Sequence, residues 1–405
     1  MEHASRAIRT IISILIAGTA AGGLARGDGP PIQVGVTTAV QLQVGRDTID
    51  GAQMAVDEIN ARGGLLGRKL RIVVEDETEN PEQGIAAVKK LIGEKVDVVL
   101  GGYTSGVTLA QLPHLGAART IYLGVGAASP AITQKVKQDY EHFKYVFRIS
   151  PLNSIQVAHS LIDYMSGFLK AELGVKAVAI VGENAKWVQD LVPVLRKGAT
   201  AAGIEVKLVE LFDAGTSDFS PLFSKVKSSG AQYLVVNLSH ASSDVFAKQW
   251  YDARTPVPYG GIDVKGQDAN FYDRVGGKSI SAVAFLSAIR APITPRTIPF
   301  VDGFVARFKR EPVYTGFGAY DAVYTYADAV RRAGSLDPDV LVKALEKTDL
   351  VATVGRIQLD EVHDVKSGPG LVNLLWVQWQ EGGRRVVVWP KDLRNGAFVR
   401  PPWMK

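Results

Sequence analysis

Residues 96–106 read VDVVLGGYTSG. An apolar run broken only by Asp97 stops at Gly101 and Gly102. It then opens into Tyr103, Thr104, Ser105 and Gly106 before a helical pattern begins at Val107. A buried strand followed by small residues and hydroxyls at a helix start sets outward-pointing N–H groups beside hydroxyl donors, which is the outline of an anion site. The nucleotide forms of such a site are excluded, since there is no G-x-G-x-x-G spacing and no Gly-Lys-Ser/Thr ending. A hydrolase elbow is excluded too, because Ser105 stands one place late for G-x-S-x-G. The six histidines, His3, His114, His142, His159, His240 and His363, fall in no metal-ligand spacing, and no nucleophile and base stand as a visible pair. The expectation is a protein that is not an enzyme and needs no metal or cofactor. Taken alone, the turn leaves a purely structural role open.

The elements that must position this turn alternate strand-like and helix-like blocks from Ile32 onward. IQVGV starts a strand; Ile49, Ala52, Val56 and Ile59 mark one face of a helix that ends at Gly63-Gly64, where a left-handed cap is easiest. Strand LRIVVED, a helix announced by Asn80 as N-cap and Pro81 at its first position, and strand VDVVL follow. Each such unit implies a right-handed crossover and a parallel sheet. A break near Ser150-Pro151 starts a second series: a helical stripe of Ile155, Ala158, Ile162, Met165 and Leu169, strand KAVAIVG, a helix with Leu191, Leu195 and Ala199 inward, then strands IEVKLVEL and YLVVNL. After Tyr259 the pattern loosens. A helix with Phe300, Phe304 and Phe308 and another over 320–332 read as core packing, and LVNLLWVQWQ as a strand turned by Glu381-Gly382-Gly383. The fold class expected is α/β, with two doubly wound parallel-sheet lobes.

Composition bounds the function. At 405 residues and 46% hydrophobic content the chain exceeds one ordinary domain. Its net charge of +5 is spread without basic runs, which argues against nucleic acid as a partner. Arg6 and Arg9 precede an apolar stretch, IISILIA, and small residues follow, with cleavage expected after Ala20 or Ala25. Residues 1–25 therefore read as a secretory signal peptide, an uncleaved anchor being the alternative. No cysteine is present, so no disulfide forms and no thiol offers a lipid anchor. A soluble mature protein outside the inner membrane is expected, and nothing in the sequence demands more than a monomer.

Several of these segments carry a resemblance. IQVGV, then GAQMAVDEINARGGLLGRKLRIVVEDETENPEQGIAAVKKLI, VDVVLGGYTSGVTLAQLP and IYLGVGAASPAIT resemble, in order over residues 32 to about 370, the type I periplasmic binding proteins of branched-chain amino acid ABC transporters. The segment 51–69 with its EINARGG turn is the most specific part. The resemblance implies a hinged clamshell with three interlobe crossings, lobe one spanning 32–150 plus 288–357 and lobe two 151–287 plus 358–405. It implies a periplasmic protein that captures a small-molecule ligand, an amino acid or an organic acid, and docks on an inner-membrane permease with its ATPase. A clamshell that presents its ligand to a chemoreceptor or signalling kinase is the alternative.

By the same resemblance, Ser105 with Tyr103, Thr104 and neighbouring amides receives the ligand's carboxylate. Gly126, Ala128 and Ser129 form a second carboxylate loop, in which Ala128 stands where threonine is usual and Ser129 either substitutes for it or caps the next helix. Trp187 takes the place of an aromatic wall, or else plugs the surface of lobe two. Asp263 aligns with the acid that meets a ligand ammonium, the alternative being a solvated turn. Val44 and Ser239 stand where leucine-binding members carry tyrosines, and His240 adjoins the second of these positions as a different donor. These departures leave the ligand open between a leucine-type amino acid and an aromatic acid, amide or other carboxylate.

Overall fold

The computed structural model describes residues 29–240, 242–368 and 370–404. The expected signal peptide, 1–25, lies outside the described residues. Lobe one is built on β1 (Ile32–Thr38), β2 (Leu70–Asp76), β3 (Val98–Gly101), β4 (Tyr122–Gly124) and β5 (Val146–Arg148), all parallel in the order β2-β1-β3-β4-β5. Helices α1 (Gln43–Ala61), α2 (Pro81–Gly93), α3 (Ser105–Ala117), α4 (Ala131–Gln138) and α5 (Tyr140–Phe143) connect them. Covered on both faces, β3 and β4 are buried at every position, which is why their sequences run apolar without alternation. Asn80 caps α2 by accepting from the amides of Glu82 and Gln83, as its position before Pro81 predicts.

Lobe two follows with α6 (Ser154–Tyr164), β6 (Ala177–Glu183), α7 (Lys186–Ala201), β7 (Glu205–Phe212), α8 (Ser220–Ser229), β8 (Tyr233–Leu238), α9 (Ser242–Asp252), β9 (Tyr259–Asp263), α10 (Phe271–Arg274) and β10 (Val283–Leu286). The chain then returns to lobe one through α11 (Thr297–Phe308), α12 (Tyr314–Ala333), which lies along α1, and α13 (Pro338–Leu345). A small ribbon of β11 (Asp349–Val351) and β12 (Arg356–Gln358) precedes the last passage to β13 (Leu375–Gln380) and β14 (Arg384–Trp389). The second sheet has the order β14-β13-β10-β9-β8-β6-β7.

Two expectations are corrected. The lobe-two sheet is mixed rather than wholly parallel: β13 runs antiparallel to β10 and β14 antiparallel to β13. The short connection at Glu381–Gly383 can join only antiparallel neighbours, since a parallel pair needs a crossover of a dozen residues. The single helical stripe expected over 155–169 is α6 followed by a π-helical turn at Met165–Lys170, which still buries Met165, Phe168 and Leu169.

In each sheet one neighbouring pair of strands is where the order reverses. In lobe one this is β1 and β3; in lobe two it is β6 and β8. At such a point successive connections leave on opposite faces and open a crevice at the carboxyl ends of the strands, where α/β sheets hold ligands. The turn after β3 is the glycine pair of the opening motif. Gly101 has φ +131 and Gly102 φ +74, and a Cβ on Gly102 would lie 2.2 Å from Tyr122 Oη and 2.6 Å from Thr108 Oγ1. Only glycine fits both the dihedral and the space. Near the hinge a buried ion pair, Arg148 Nε to Asp364 Oδ1 at 3.3 Å, ties β5 to the third crossing, and Asn153 Nδ2 donates to the same aspartate at 3.0 Å. Gly102→Ala is expected to lower the unfolding free energy by about 1–3 kcal/mol through strain and overpacking, measured by urea unfolding; an unchanged midpoint would show that the turn relaxes freely.

Candidate functional site

The two crevices face each other and enclose a cavity of about 270 Å³. Lobe one contributes Tyr103, Thr104, Ser105 and Gly106 from the β3–α3 turn, Gly126 and Ala128 from the turn after β4, and Tyr314 from the start of α12. Lobe two contributes Trp187, Ser239, His240, Ile262, Val264 and Phe285, with Pro151 and Leu152 of the first crossing between them. Tyr103, Tyr314, Trp187 and Phe285 make the walls largely aromatic. Tyr314 and Phe285 were missed in the sequence because both lie beyond Tyr259, where the pattern loosens, and outside the two helices legible there.

The donor end of the cavity is the start of α3. Its N-cap, Thr104, makes no side-chain capping bond, and Thr104 Oγ1 is buried without a hydrogen-bond partner among the described residues. The first-turn amides have no acceptor within the helix. Ser105 is 2% exposed and its Oγ accepts from the amide of Ser129 at 3.1 Å, so its own proton remains for another acceptor. The start of α7, with Ala185 as an uncapped N-cap, approaches from lobe two. Both helix starts bring partial positive charge to one apolar space.

Buried acids hold this frame from behind. Glu77 accepts from the Tyr103 amide at 2.9 Å and from Gln111 Nε2 at 3.3 Å; burial pushes its carboxyl up to about 7 despite those bonds. Glu183, at the end of β6, accepts from Ser239 N, Ser239 Oγ, His240 N, His240 Nδ1 and Ser242 Oγ at 2.7–2.9 Å. Burial alone would raise it, but the bonds and the charge of His240 outweigh burial and hold it below the usual range. Nothing in the sequence singled out Glu77 or Glu183, because their partners lie tens of residues away.

Two expected residues stand elsewhere. Asp263 does not line the cavity: strand alternation turns its neighbours Ile262 and Val264 inward and sends Asp263 behind, where it accepts from Ser243 Oγ at 2.5 Å and the Gly266 amide at 3.0 Å. Burial pushes its carboxyl up to about 6. Ser129 also points away; its hydroxyl donates at 2.5 Å to Asp190 of lobe two, which Lys186 also pairs. Ala128, not Ser129, meets the cavity. Ser239 does line it, yet its hydroxyl donates to Glu183 and accepts from Trp187 Nε1 at 3.2 Å, leaving little for a ligand. Val44 packs behind Tyr103 and Tyr314. The lobes touch across the cleft, since Tyr103 Oη donates to the Ser239 carbonyl at 2.5 Å.

A sequence model described as periplasmic binding protein matches residues 31–378, most of the chain. The chain belongs to the periplasmic binding protein family. This binding protein is 25% identical over 372 residues to the leucine-, isoleucine-, valine-, threonine- and alanine-binding protein of Pseudomonas aeruginosa, covering 89% of this chain and 94% of that one. Its fold is similar to that of the branched-chain amino acid transporter substrate binding protein LivJ from Streptococcus pneumoniae in complex with isoleucine, at TM-score 0.77 and 21% identity, covering 88% of this chain and 97% of that one. It is equally similar to an ABC transporter solute binding protein from R. palustris in complex with benzoate, at TM-score 0.76 and 20% identity, covering 88% and 95%. By its family it is a binding protein and not an enzyme. Among the described residues no helix is long and apolar enough to cross a membrane.

Glu77 gives this binding protein a titratable anchor under the cavity. Its folded carboxyl titrates at about 7 against an ordinary 4.5, so the folded state holds the proton more tightly and stability falls as pH rises between those values. Glu77→Gln should remove this component, making the slope of unfolding free energy less negative by up to about 1.4 kcal/mol per pH unit in that window. Urea unfolding across pH reads it, and an unchanged slope would show that Glu77 stays ionised.

Proposed function

We propose that this binding protein captures a small apolar carboxylate between its lobes, best an aromatic acid without an α-ammonium, and delivers it to the permease and ATPase of an ABC importer in the inner membrane. The reading rests on the make-up of the cavity wall. The α3 start, Thr104 Oγ1 and Ser105 Oγ supply unspent donors, the walls are aromatic, and no Asp or Glu lines the space. A carboxylate fits these donors without a buried cation. An ammonium finds no carboxylate on the cavity wall: Asp263, Glu183 and Asp190 are each committed to other groups, and Glu79 stands beyond the wall, facing His240. Left unpaired in a closed cleft it would cost several kcal/mol.

In this reading Ser105, Thr104 and the adjoining amides hold the carboxylate, while Gly126 and Ala128 leave room beside it. Tyr103, Trp187, Phe285 and Tyr314 sandwich the apolar body, and His240 and Ser239 close the lobe-two side. Walls drawn from both lobes make ligand contacts greatest in the closed form, so binding drives closure. A micromolar site needs about 8 kcal/mol, within reach of charge-assisted bonds to one carboxylate and a stacked ring. Isoleucine and benzoate, named for two similar folds, bracket the choice. The protein works as a monomer in the periplasm, with lobe one taken as 32–150 plus 288–357 and lobe two as 151–287 plus 358–405.

A thermal-shift screen of the ligand-stripped protein tests the reading. Benzoate and hydroxybenzoates should raise Tm, whereas leucine, isoleucine and valine should leave it unchanged. By calorimetry, Ser105→Ala and Trp187→Ala should each weaken binding about tenfold or more, with Asp263→Asn within about twofold of the parent. Stabilisation by leucine together with loss of binding in Asp263→Asn would reverse the assignment.

A further inference from the structure

His240 sits at the rim of the cavity with its ring held on one side only by its own lobe. Nδ1 lies 2.7 Å from Glu183 Oε2, and the same carboxylate also accepts from the His240 amide. This leaves Nε2 pointing across the cleft, where it lies 3.6 Å from Glu79 Oε1 of lobe one. That distance is an ion-pair contact rather than a hydrogen bond. Glu79 Oε1 is buried and has no hydrogen-bond partner among the described residues.

The backbone that delivers Glu79 is strained. Thr78 and Glu79 have φ of +48 and +58, two consecutive non-glycine residues in the left-handed region. Such conformations persist where the surrounding structure imposes them, and they cluster at switching and binding sites. Here they carry Glu79 over the edge of lobe one toward the imidazole.

We propose that His240 is a proton-operated latch: its charged ring bridges Glu183 beneath it to Glu79 of the opposite lobe and favours the closed clamshell. The chemistry follows from the two ring nitrogens. With Nδ1–H given to Glu183, a neutral ring turns the lone pair of Nε2 toward the Glu79 carboxylate, which repels it; a charged ring turns an N–H toward it. Glu183 belongs to the same lobe as His240 and stays with it when the lobes part, whereas the Glu79 contact exists only when they meet. Closure and protonation are therefore linked. The other groups facing the ring are Lys265 of lobe two, which opposes its charge, and Tyr103 of lobe one, whose hydroxyl is committed to the Ser239 carbonyl. Burial also opposes the charge, but Glu183 and then Glu79 outweigh these effects and hold His240 above its ordinary value. The closed form should be favoured at low pH and lose ground as pH rises through the histidine's range.

The test needs no ligand, so it stands apart from the carboxylate reading. The chain has no cysteine, and Gln41 and Asn270 are exposed residues lining opposite sides of a second interlobe groove. Spin labels on Gln41→Cys and Asn270→Cys report the interlobe distance by pulsed electron spin resonance. From about pH 5.5 to about pH 8.5 the ratio of short to long distances should fall about two- to fivefold, the range of a partly exposed ion pair. Glu79→Gln and His240→Gln in the labelled background should each flatten this dependence. Glu79→Gln decides the matter alone if His240→Gln fails to fold, because Glu79 makes no other ion pair among the described residues. A ratio independent of pH in the parent, no short-distance population at either pH, or an undiminished dependence in Glu79→Gln would overturn the latch.

Discussion

Backbone N–H groups at the start of an α-helix have no partner inside the helix, and α3 and α7 bring two such sets from opposite lobes to one apolar cavity. Much of the surrounding structure follows from that constraint. The helices begin there because the strand order reverses beside β3 and β6 and sends successive connections to opposite faces. Gly101 and Gly102 give the turn its left-handed path, and Glu77 pins the Tyr103 amide so that Thr104 and Ser105 cannot drift. Low dielectric around aromatic walls strengthens each dipole aimed inward.

The acids near the cleft are arranged to serve the frame. Glu77, Glu183, Asp190 and Asp263 each take hydrogen bonds from loop amides, hydroxyls or a neighbouring cation, and none lines the cavity. A carboxylate behind a loop orders its donors; the same carboxylate turned inward would repel an anionic ligand. The choice of ligand in this fold thus depends on which way a few side chains face.

Closure has its own contacts. Tyr103 Oη reaches the Ser239 carbonyl, and Ser129 reaches Asp190, so the lobes also meet through direct hydrogen bonds of their own. Such contacts offset part of the cost of bringing the lobes together, and the proposed His240 bridge adds a term that depends on protons. A ligand then needs to contribute only the remaining difference between open and closed forms.

Local signals in the sequence were enough for the strands β1 to β3, the Asn80 cap, the Gly63-Gly64 helix end and the turn that carries Ser105, because each depends on neighbours a few residues away. The order of elements, two sheets with a shared cleft, followed from the same local grammar. The directions of Asp263 and Ser129 were not legible. Asp263 turns away because β9 pairs with β8 and β10 in a register that sends Ile262 and Val264 inward, and Ser129 turns to Asp190 because lobe two is there to meet it. Glu183 and Glu79 were equally silent, each acquiring its role from residues far along the chain. The sequence by itself determined the fold and the family, since periodicity and caps are local. Tertiary structure decided which groups face the ligand, since strand register and contact between lobes join residues that no local pattern relates.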